Sequence, residues 1–582
     1  MSTRTAMATT VVTAAGVLAL GYTTIAALGA RPSQEAEGFQ WFWTLDGPVG
    51  SDAGSEIVTD EDGNIFIAGA TAGLDLDRDG TLDLTADIAE VLFLKVREVP
   101  ESGRVTVDWI RSPVSPGVNT GSGVAVDRRG GVYGIGRFQQ SVEFGEELTL
   151  PGRGLNDGFI VRYDPDGEVL WARTIGGPGQ DAPTDVASDS DGNAYVVGWG
   201  EGTFPLDDRG AEFRGGDEMA GLIVSYDPDG SVRWVHAVPA PNRILFGVEV
   251  SPDGEVFVTG ELEDGADFDG DGRVDLPASR DRDGFVARFD VDGALLGAWA
   301  TPAPGKVAFL RNGDLLLASA TGGQAEERYG PADFDGDGKP DVEPKDGPSS
   351  AWVARYGREG TLRWVRSYAM DMPADIESDG ERFVISGGYN GIRDLDEDGI
   401  PERVDHRSEQ ERFNTEMAVL LLSGEDGHPE RAWTAPGPGK DHAAAALFMP
   451  DRRTLYVTGS LQYTADFTGD GVNGEGWVEC ESLGDFFFAQ YRLPELRQVA
   501  ARREITLSAS VTEVPGVGRE IELAWSGAAS AAIDVYREGV LLATVENTGA
   551  HADTIPAGLI KGKPTYRVCE AGTGTCSNDA RP

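Results

Sequence analysis

Three cysteines, five histidines and only 49 basic residues among 582 set the first bounds on this chain. So little cysteine excludes a scaffold held together mainly by disulfides. The histidines, His236, His406, His428, His442 and His551, are scattered without ligand spacing, and there is no His-Glu-x-x-His. Gly-x-Ser-x-Gly and a Gly-rich phosphate loop are missing as well, so no familiar hydrolase or nucleotide site is written in the chain. Against 49 basic residues stand 97 acidic ones, a formal net charge of −48. That charge excludes nucleic acid and anionic membrane surfaces as partners, since both repel it. It does not imply disorder, because 40% of the residues are hydrophobic and fall in short regular runs.

Long apolar runs are absent but for one. Behind Arg4, an uncharged stretch runs from Ala6 to Ala30 and ends in the small residues Ala27-Leu28-Gly29-Ala30. Residues 1–30 are therefore expected to be a cleaved export signal, with a retained membrane anchor as the alternative. The protein is then expected in the periplasm, on the cell surface or secreted, touching a membrane only if the segment is kept. Cys569 and Cys576 flank the turn Glu570-Ala571-Gly572-Thr573-Gly574-Thr575, placed to close a disulfide across a hairpin. Cys480 is left over as a lone thiol.

What is abundant is repetition. Tryptophans recur at Trp43, Trp109, Trp171, Trp234, Trp299, Trp364 and Trp433, at intervals of 66, 62, 63, 65, 65 and 69 residues. Each unit follows one grammar, as in Ser122-Gly-Val-Ala-Val-Asp127, Gly131-Val-Tyr-Gly-Ile-Gly136, Asp157-Gly-Phe-Ile-Val-Arg-Tyr163, the turn Asp164-Pro-Asp-Gly167, then Glu168-Val-Leu-Trp171. Short β-branched and aromatic runs separated by Asp-Gly or Gly-Asn are hairpins, because those residues accept the positive φ of tight turns. Strand quartets that recur in this way bury their faces only against neighbouring units, which is the logic of propeller blades. The segments Asp60-Glu-Asp-Gly-Asn-Ile-Phe-Ile-Ala-Gly69 and Ser190-Asp-Gly-Asn-Ala-Tyr-Val-Val-Gly198 resemble the core of SBBP-type β-propeller repeats. The expected fold is all-β: a seven-bladed β-propeller of four-stranded blades over 39–493, plus a small β-sandwich. Because the chain enters at a Trp-bearing fourth strand, Phe39 to Thr44, and leaves at a third strand, Phe486 to Tyr491, the N-terminal strand is expected to complete the last blade.

A charged linker at 494–503 precedes residues 504–582, where strands are expected at Ile505 to Val511, Ile521 to Trp525, Ala532 to Arg537, Val540 to Val545 and Thr565 to Val568. Trp525 in an alternating strand and Tyr566 ahead of Cys569 resemble fibronectin type III positions.

The chemistry-bearing residues lie between the second and third strands of five units. They read Asp75-Leu-Asp-Arg-Asp-Gly-Thr-Leu-Asp83, Asp267-Phe-Asp-Gly-Asp-Gly-Arg-Val-Asp275, Asp333-Phe-Asp-Gly-Asp-Gly-Lys-Pro-Asp341 and Asp394-Leu-Asp-Glu-Asp-Gly-Ile-Pro-Glu402, with a degenerate Asp466-Phe-Thr-Gly-Asp-Gly-Val-Asn-Gly474. Alternating carboxylates converge on one point when the Gly at position 6 lets the chain turn, and a later acid completes a cage of hard oxygens for Ca²⁺. The later acid stands at position 9, so the loops resemble the calcium hairpins of integrin α-subunit propellers. That resemblance implies ligands at Asp75, Asp77, Asp79 and Asp83; at Asp267, Asp269, Asp271 and Asp275; at Asp333, Asp335, Asp337 and Asp341; and at Asp394, Asp396, Asp398 and Glu402. The fifth loop keeps Asp466 and Asp470 but has Thr468 at position 3 and no acid at position 9, and is expected to be weak. Asp-Gly turn chemistry alone explains Asp164-Pro-Asp-Gly167, but not three alternating acids plus a fourth at fixed distance.

Quinoprotein dehydrogenase propellers share an Asp…Gly…Trp docking motif that Asp164 to Trp171 approaches, but the Asp-to-Gly spacing is one residue short. The expected role is non-enzymatic: a calcium-stabilised binding or cell-surface scaffold for a protein or polysaccharide. The alternative is an exported hydrolase or oxidoreductase working in the propeller funnel, which requires inward-facing polar groups with displaced pKa values.

Overall fold

The structure, a computed structural model, describes 23–26 and most of 38–493 and 506–582. The longer stretches outside the description are 1–22, 27–37, 46–52, 75–83, 239–244, 278–282, 322–333, 342–349, 398–414, 468–476, 480–484, 494–505 and 571–579, the rest being shorter connections. The chain divides into two units, Met1–Leu493 and Pro494–Pro582. No helix occurs among the described residues, and none is long and apolar enough to cross a membrane.

In the first unit seven antiparallel sheets, here blades one to seven, follow one another along the described chain. Blade two shows the plan: Thr120–Val126 is innermost, followed outward by Val132–Phe138, Asp157–Tyr163 and Val169–Ile175. The other innermost strands are Ala53–Thr59, Ala182–Ser188, Leu245–Val250, Lys306–Phe309, Met372–Ser378 and His442–Phe448. Each lies against the innermost strand of the next blade, and that of blade seven lies against that of blade one. The outermost strand of blade seven is Gly38–Leu45, which pairs antiparallel with Asp485–Arg492 from the far end of the unit. Blade one carries an extra edge strand, Thr23–Ala26, on Arg104–Arg111.

Blades cover one another on both faces, so their third strands are buried along their whole length, as in Asp157–Tyr163 and in Phe486, Phe487 and Phe488. This is why those strands read as continuous apolar runs rather than as alternation. Each buried Phe contributes roughly 1.5–3 kcal/mol by removal from water.

The recurrent tryptophans stitch blade to blade. The indole N–H groups of Trp109, Trp171, Trp234 and Trp364 donate to the carbonyls of Pro165, Pro228, Val291 and Glu425, each in the outer turn of the following blade, at 2.9–3.2 Å. The glycine of that turn must be glycine: Gly230 has φ 80°, and a Cβ there would stand 2.7 Å from Trp171 Cδ2. Trp433 is the exception that the strand order explains. The blade after it draws its fourth strand from Gly38–Leu45, so no outer turn of that kind follows Asp485–Arg492, and the indole nitrogen of Trp433 is buried without a partner.

The second unit holds two three-stranded sheets. Gly518–Ser526 lies between Thr506–Val514 and Ala550–Pro556, and Ala532–Arg537 lies between Val540–Glu546 and Tyr566–Glu570. Leu523, Trp525 and Ile555 from one sheet share a core with Ile533, Val535, Tyr566 and Val568 from the other. Ala550–Pro556 was not expected from sequence. Its inward residues include Asp553, a charge that breaks the apolar alternation; Arg537 Nη1 at 2.6 Å and the Tyr566 hydroxyl at 2.5 Å neutralise it. Cys569 lies in Tyr566–Glu570 with its side chain undescribed, and Cys576 and Cys480 lie outside the described residues, so the expected disulfide does too.

Candidate functional site: aspartate loops and the central channel

The loop from Asp267 to Asp275 in blade four is described throughout. It is pinched at its base by Ala266 and Leu276, whose backbones exchange hydrogen bonds at 2.8 and 3.2 Å. Phe268 at its second position is buried against Phe285, with ring centroids 4.8 Å apart. That anchor leaves the carboxylates outside: Asp267, Asp269 and Asp275 bring one oxygen each to within 4.8 Å of one another. Asp275 Oδ2 accepts from the Phe268 amide at 2.7 Å, and Asp267 accepts from the amides of Gly270 and Gly272 at 2.7 and 2.8 Å. Gly270 and Gly272 have φ of 76° and 85°, a left-handed pair that folds the loop back on itself. Asp271 stands apart from the trio, accepting from the Arg273 amide at 2.8 Å. Three hard oxygens at this spacing, with no nitrogen or sulfur donor among them, fit a Ca²⁺-sized ion.

Blade five repeats the anchor. Phe334 is buried on Trp352, and its amide donates to Asp341 Oδ2 at 2.7 Å, as Phe268 does to Asp275. Asp335 is described beside it; Asp333 and Asp337 are not. In blade six Leu395 is the buried anchor, Asp394 and Asp396 are described, and Asp398 and Glu402 lie outside the description. Glu397, which stands where Gly270 stands in blade four, has φ 60°, so a side chain has been placed in the same left-handed turn. In blade seven Asp466 ends Thr464–Asp466, and Phe467 is buried; Asp470 lies outside the described residues. So do Asp75, Asp77, Asp79 and Asp83.

A second cluster, not expected from sequence, occupies the centre of the ring. In six of the seven innermost strands the pairing slips by one residue, and the residue after the slip is Glu56, Gly123, Asp185, Gly247, Asp375 or Ala445; the matching register in blade five is Lys306. Around the ring these positions read acid, small, acid, small, lysine, acid, small. Each acid leans onto the small residue after it. The Val124 amide donates to Glu56 Oε2 at 3.2 Å, the Val248 amide to Asp185 Oδ2 at 3.0 Å, and the Ala446 amide to Asp375 Oδ2 at 3.3 Å. A Cβ on Gly123 would stand 2.7 Å from Glu56 Oε2, so the small residue is what admits the carboxylate. Lys306 reaches past blade four to Asp185, Nζ to Oδ2 at 2.9 Å. Two residues further along their strands, Glu249 and Glu377 add two more acids.

These groups are partly accessible along the channel and otherwise surrounded by protein. Burial, reinforced by Asp185, pushes the Glu249 carboxyl up to about 8. Burial likewise raises Glu56 and Glu377 well above the usual carboxylate range, with Asp185 adding to the first and Asp375 to the second. Asp375 is raised by burial against the pull of Lys306. Burial works against the Lys306 ammonium, but Asp185 and Glu56 more than offset it and keep the lysine charged.

With this geometry in view, residues 170–205 match the SBBP family model, described as a beta-propeller repeat. The fold is a β-propeller. No curated protein matches the chain. Solved structures that resemble the propeller include virginiamycin B lyase from Staphylococcus aureus, 11% identical, spanning 59% of this chain and 94% of that one at a TM-score of 0.28. A gluconolactonase from Xanthomonas campestris is 14% identical over 66% of this chain and 89% of its own, at 0.29. The phage phi92 endosialidase is 8% identical over 90% and 80%, at 0.35. Likenesses this distant carry neither function nor site to this chain.

Proposed function

We propose that this chain is an exported, calcium-stabilised propeller that serves as a binding or cell-surface scaffold, with a fibronectin type III-like domain behind it. The observation that carries the reading is the convergence of Asp267, Asp269 and Asp275 on one point of a loop whose aromatic anchor is repeated in blade five. All ligands of such a loop are local in sequence, so the ion staples a long connection rather than a reaction centre. The two sheet orders of the C-terminal unit support the fibronectin-like reading. The partner class that suits a −48 chain is a protein or polysaccharide, not nucleic acid.

One observation favours a second reading, a ligand-handling site in the funnel: the displaced carboxyls around Lys306 are the inward-facing polar groups that reading requires. The test of the first reading is elemental analysis of the purified chain, with thermal unfolding followed before and after chelation. Bound calcium and a melting temperature that falls by several degrees on its removal are expected, since an ion held only by the native state stabilises it by mass action. An unchanged transition and no bound metal would return the Asp-Gly loops to plain turn chemistry.

A further inference from the structure

We propose that the central channel binds a ligand carrying two or more ammonium groups, of the class of linear aliphatic polyamines. This goes beyond the scaffold reading and does not depend on calcium in the loops.

The channel is built to hold positive charge and holds too little of its own. Glu56, Asp185, Glu249, Asp375 and Glu377 face a single cation, Lys306. That lysine is itself the first sign of what the channel recognises: a primary ammonium is already seated on Asp185 at 2.9 Å, delivered from two blades away. Glu56, Asp185 and Asp375 have a second task, accepting amides from the following blade. Glu249 and Glu377 have none. Each accepts only from the amide of its own next residue, Val250 and Ser378, and each is enclosed with like charges beside it. Two enclosed carboxylates with acceptor capacity to spare are what an incoming cation needs.

Spacing decides between a metal and an organic cation. Among the described residues, only Asp267, Asp269 and Asp275 bring three such oxygens within 4.8 Å of one another, so the channel acids do not form a metal cage. They stand instead in two layers, the ring position and the position two residues on. With a strand rise of about 3.3 Å per residue, the layers are about 6–7 Å apart. A chain with ammonium groups at that separation meets one layer with each. Gly123, Gly247 and Ala445 keep the bore open at the ring level.

The experiment is titration calorimetry of the full chain with spermidine, in saturating calcium, at about 0.15 M salt and above pH 8, where Glu249 is ionised. One site per chain is expected, weakened about tenfold or more (about 1.4 kcal/mol) by Glu249→Gln/Glu377→Gln and unaffected by Asp267→Asn/Asp275→Asn. Lys306→Met removes the competing ammonium and is expected to tighten binding, an effect that a merely damaged fold does not produce. Weak multi-site binding that is equal in the channel variant and the parent would overturn the proposal, because it would be counterion binding to the acidic surface. So would a channel that takes Mn²⁺ and loses it on the same substitutions while ignoring spermidine. Failure of the calcium reading shows separately, as an absence of loop-bound metal with the spermidine result intact.

Discussion

Glu249→Gln is expected to stabilise the propeller at high pH and to do nothing at low pH. A carboxyl whose folded-state pKa lies above its unfolded value leaves the native state fully stable below the unfolded value and weakens it as pH rises through the folded one. For Glu249 the window runs from the usual 4.5 to about 8. At about 1.4 kcal/mol per pH unit, that rise corresponds to roughly 5 kcal/mol if the whole penalty belonged to this one group. It does not, because Asp185 and Lys306 share the field and channel water screens part of it, so about 2–3 kcal/mol is the expected gain at pH 9. An unfolding entropy near 2.1 cal/mol/K per residue gives a propeller of this size about 1 kcal/mol/K, so the melting temperature should rise by about 2–3 °C. The assay is thermal unfolding of parent and variant in calcium at pH 4.5 and pH 9, reading the difference at each. A gain of equal size at both pH values would refute the reasoning, since it would mean that packing, not charge, was relieved. A loss at pH 9 would show that the ionised carboxylate is stabilised by its surroundings.

Asp441 gives the same test at a blade seam. It is completely buried, burial and then Glu416 hold its carboxyl up to about 8, and Oδ1 accepts from the Gln462 amide at 2.8 Å, so Asp441→Asn keeps that acceptor and should raise the melting temperature above pH 8 but not near pH 4. Gly230→Ala should cost about 2–4 kcal/mol, because it combines a left-handed φ with a clash against Trp171, whereas Gly270→Ala, with φ 76° and nothing within 4 Å, should cost only about 1–2 kcal/mol. Urea unfolding of the two variants against the parent reads the difference.

The repeat, the strand grammar and the aspartate loops were legible because each rests on local chemistry: Asp-Gly turns, a Trp at fixed spacing, alternating acids around a glycine. The channel was not, although its residues sit in plain view. Glu56, Asp185 and Asp375 each precede a β-branched residue in an inner strand, and Gly123, Gly247 and Ala445 take the same place in the blades that follow. Only the curvature of the ring makes one lean on the next. Lys306 escaped notice for a similar reason, since its partner Asp185 is 121 residues away and two blades back. In the C-terminal unit the strand Ala550–Pro556 was hidden by Asp553, whose burial is affordable only once Arg537 and Tyr566 arrive from the opposite sheet.

The charge at the centre of the ring asks for a reason that stability does not supply. Three cross-blade bonds from amide to carboxylate, worth about 1.5–3 kcal/mol each, account for Glu56, Asp185 and Asp375. They do not account for Glu249 and Glu377, which lie two residues along strands that otherwise turn Val248, Val250 and Ile376 to their neighbours. Enclosed charges that join no cross-blade bond cost several kcal/mol apiece, and an apolar residue at either place would remove that cost without touching the seams. The same strands carry Ala125, Ala187 and Ala308 at the matching register, which shows that the ring closes perfectly well on small apolar side chains. Two acids kept against that alternative mark the inner layer as a place where binding, not folding, set the residue.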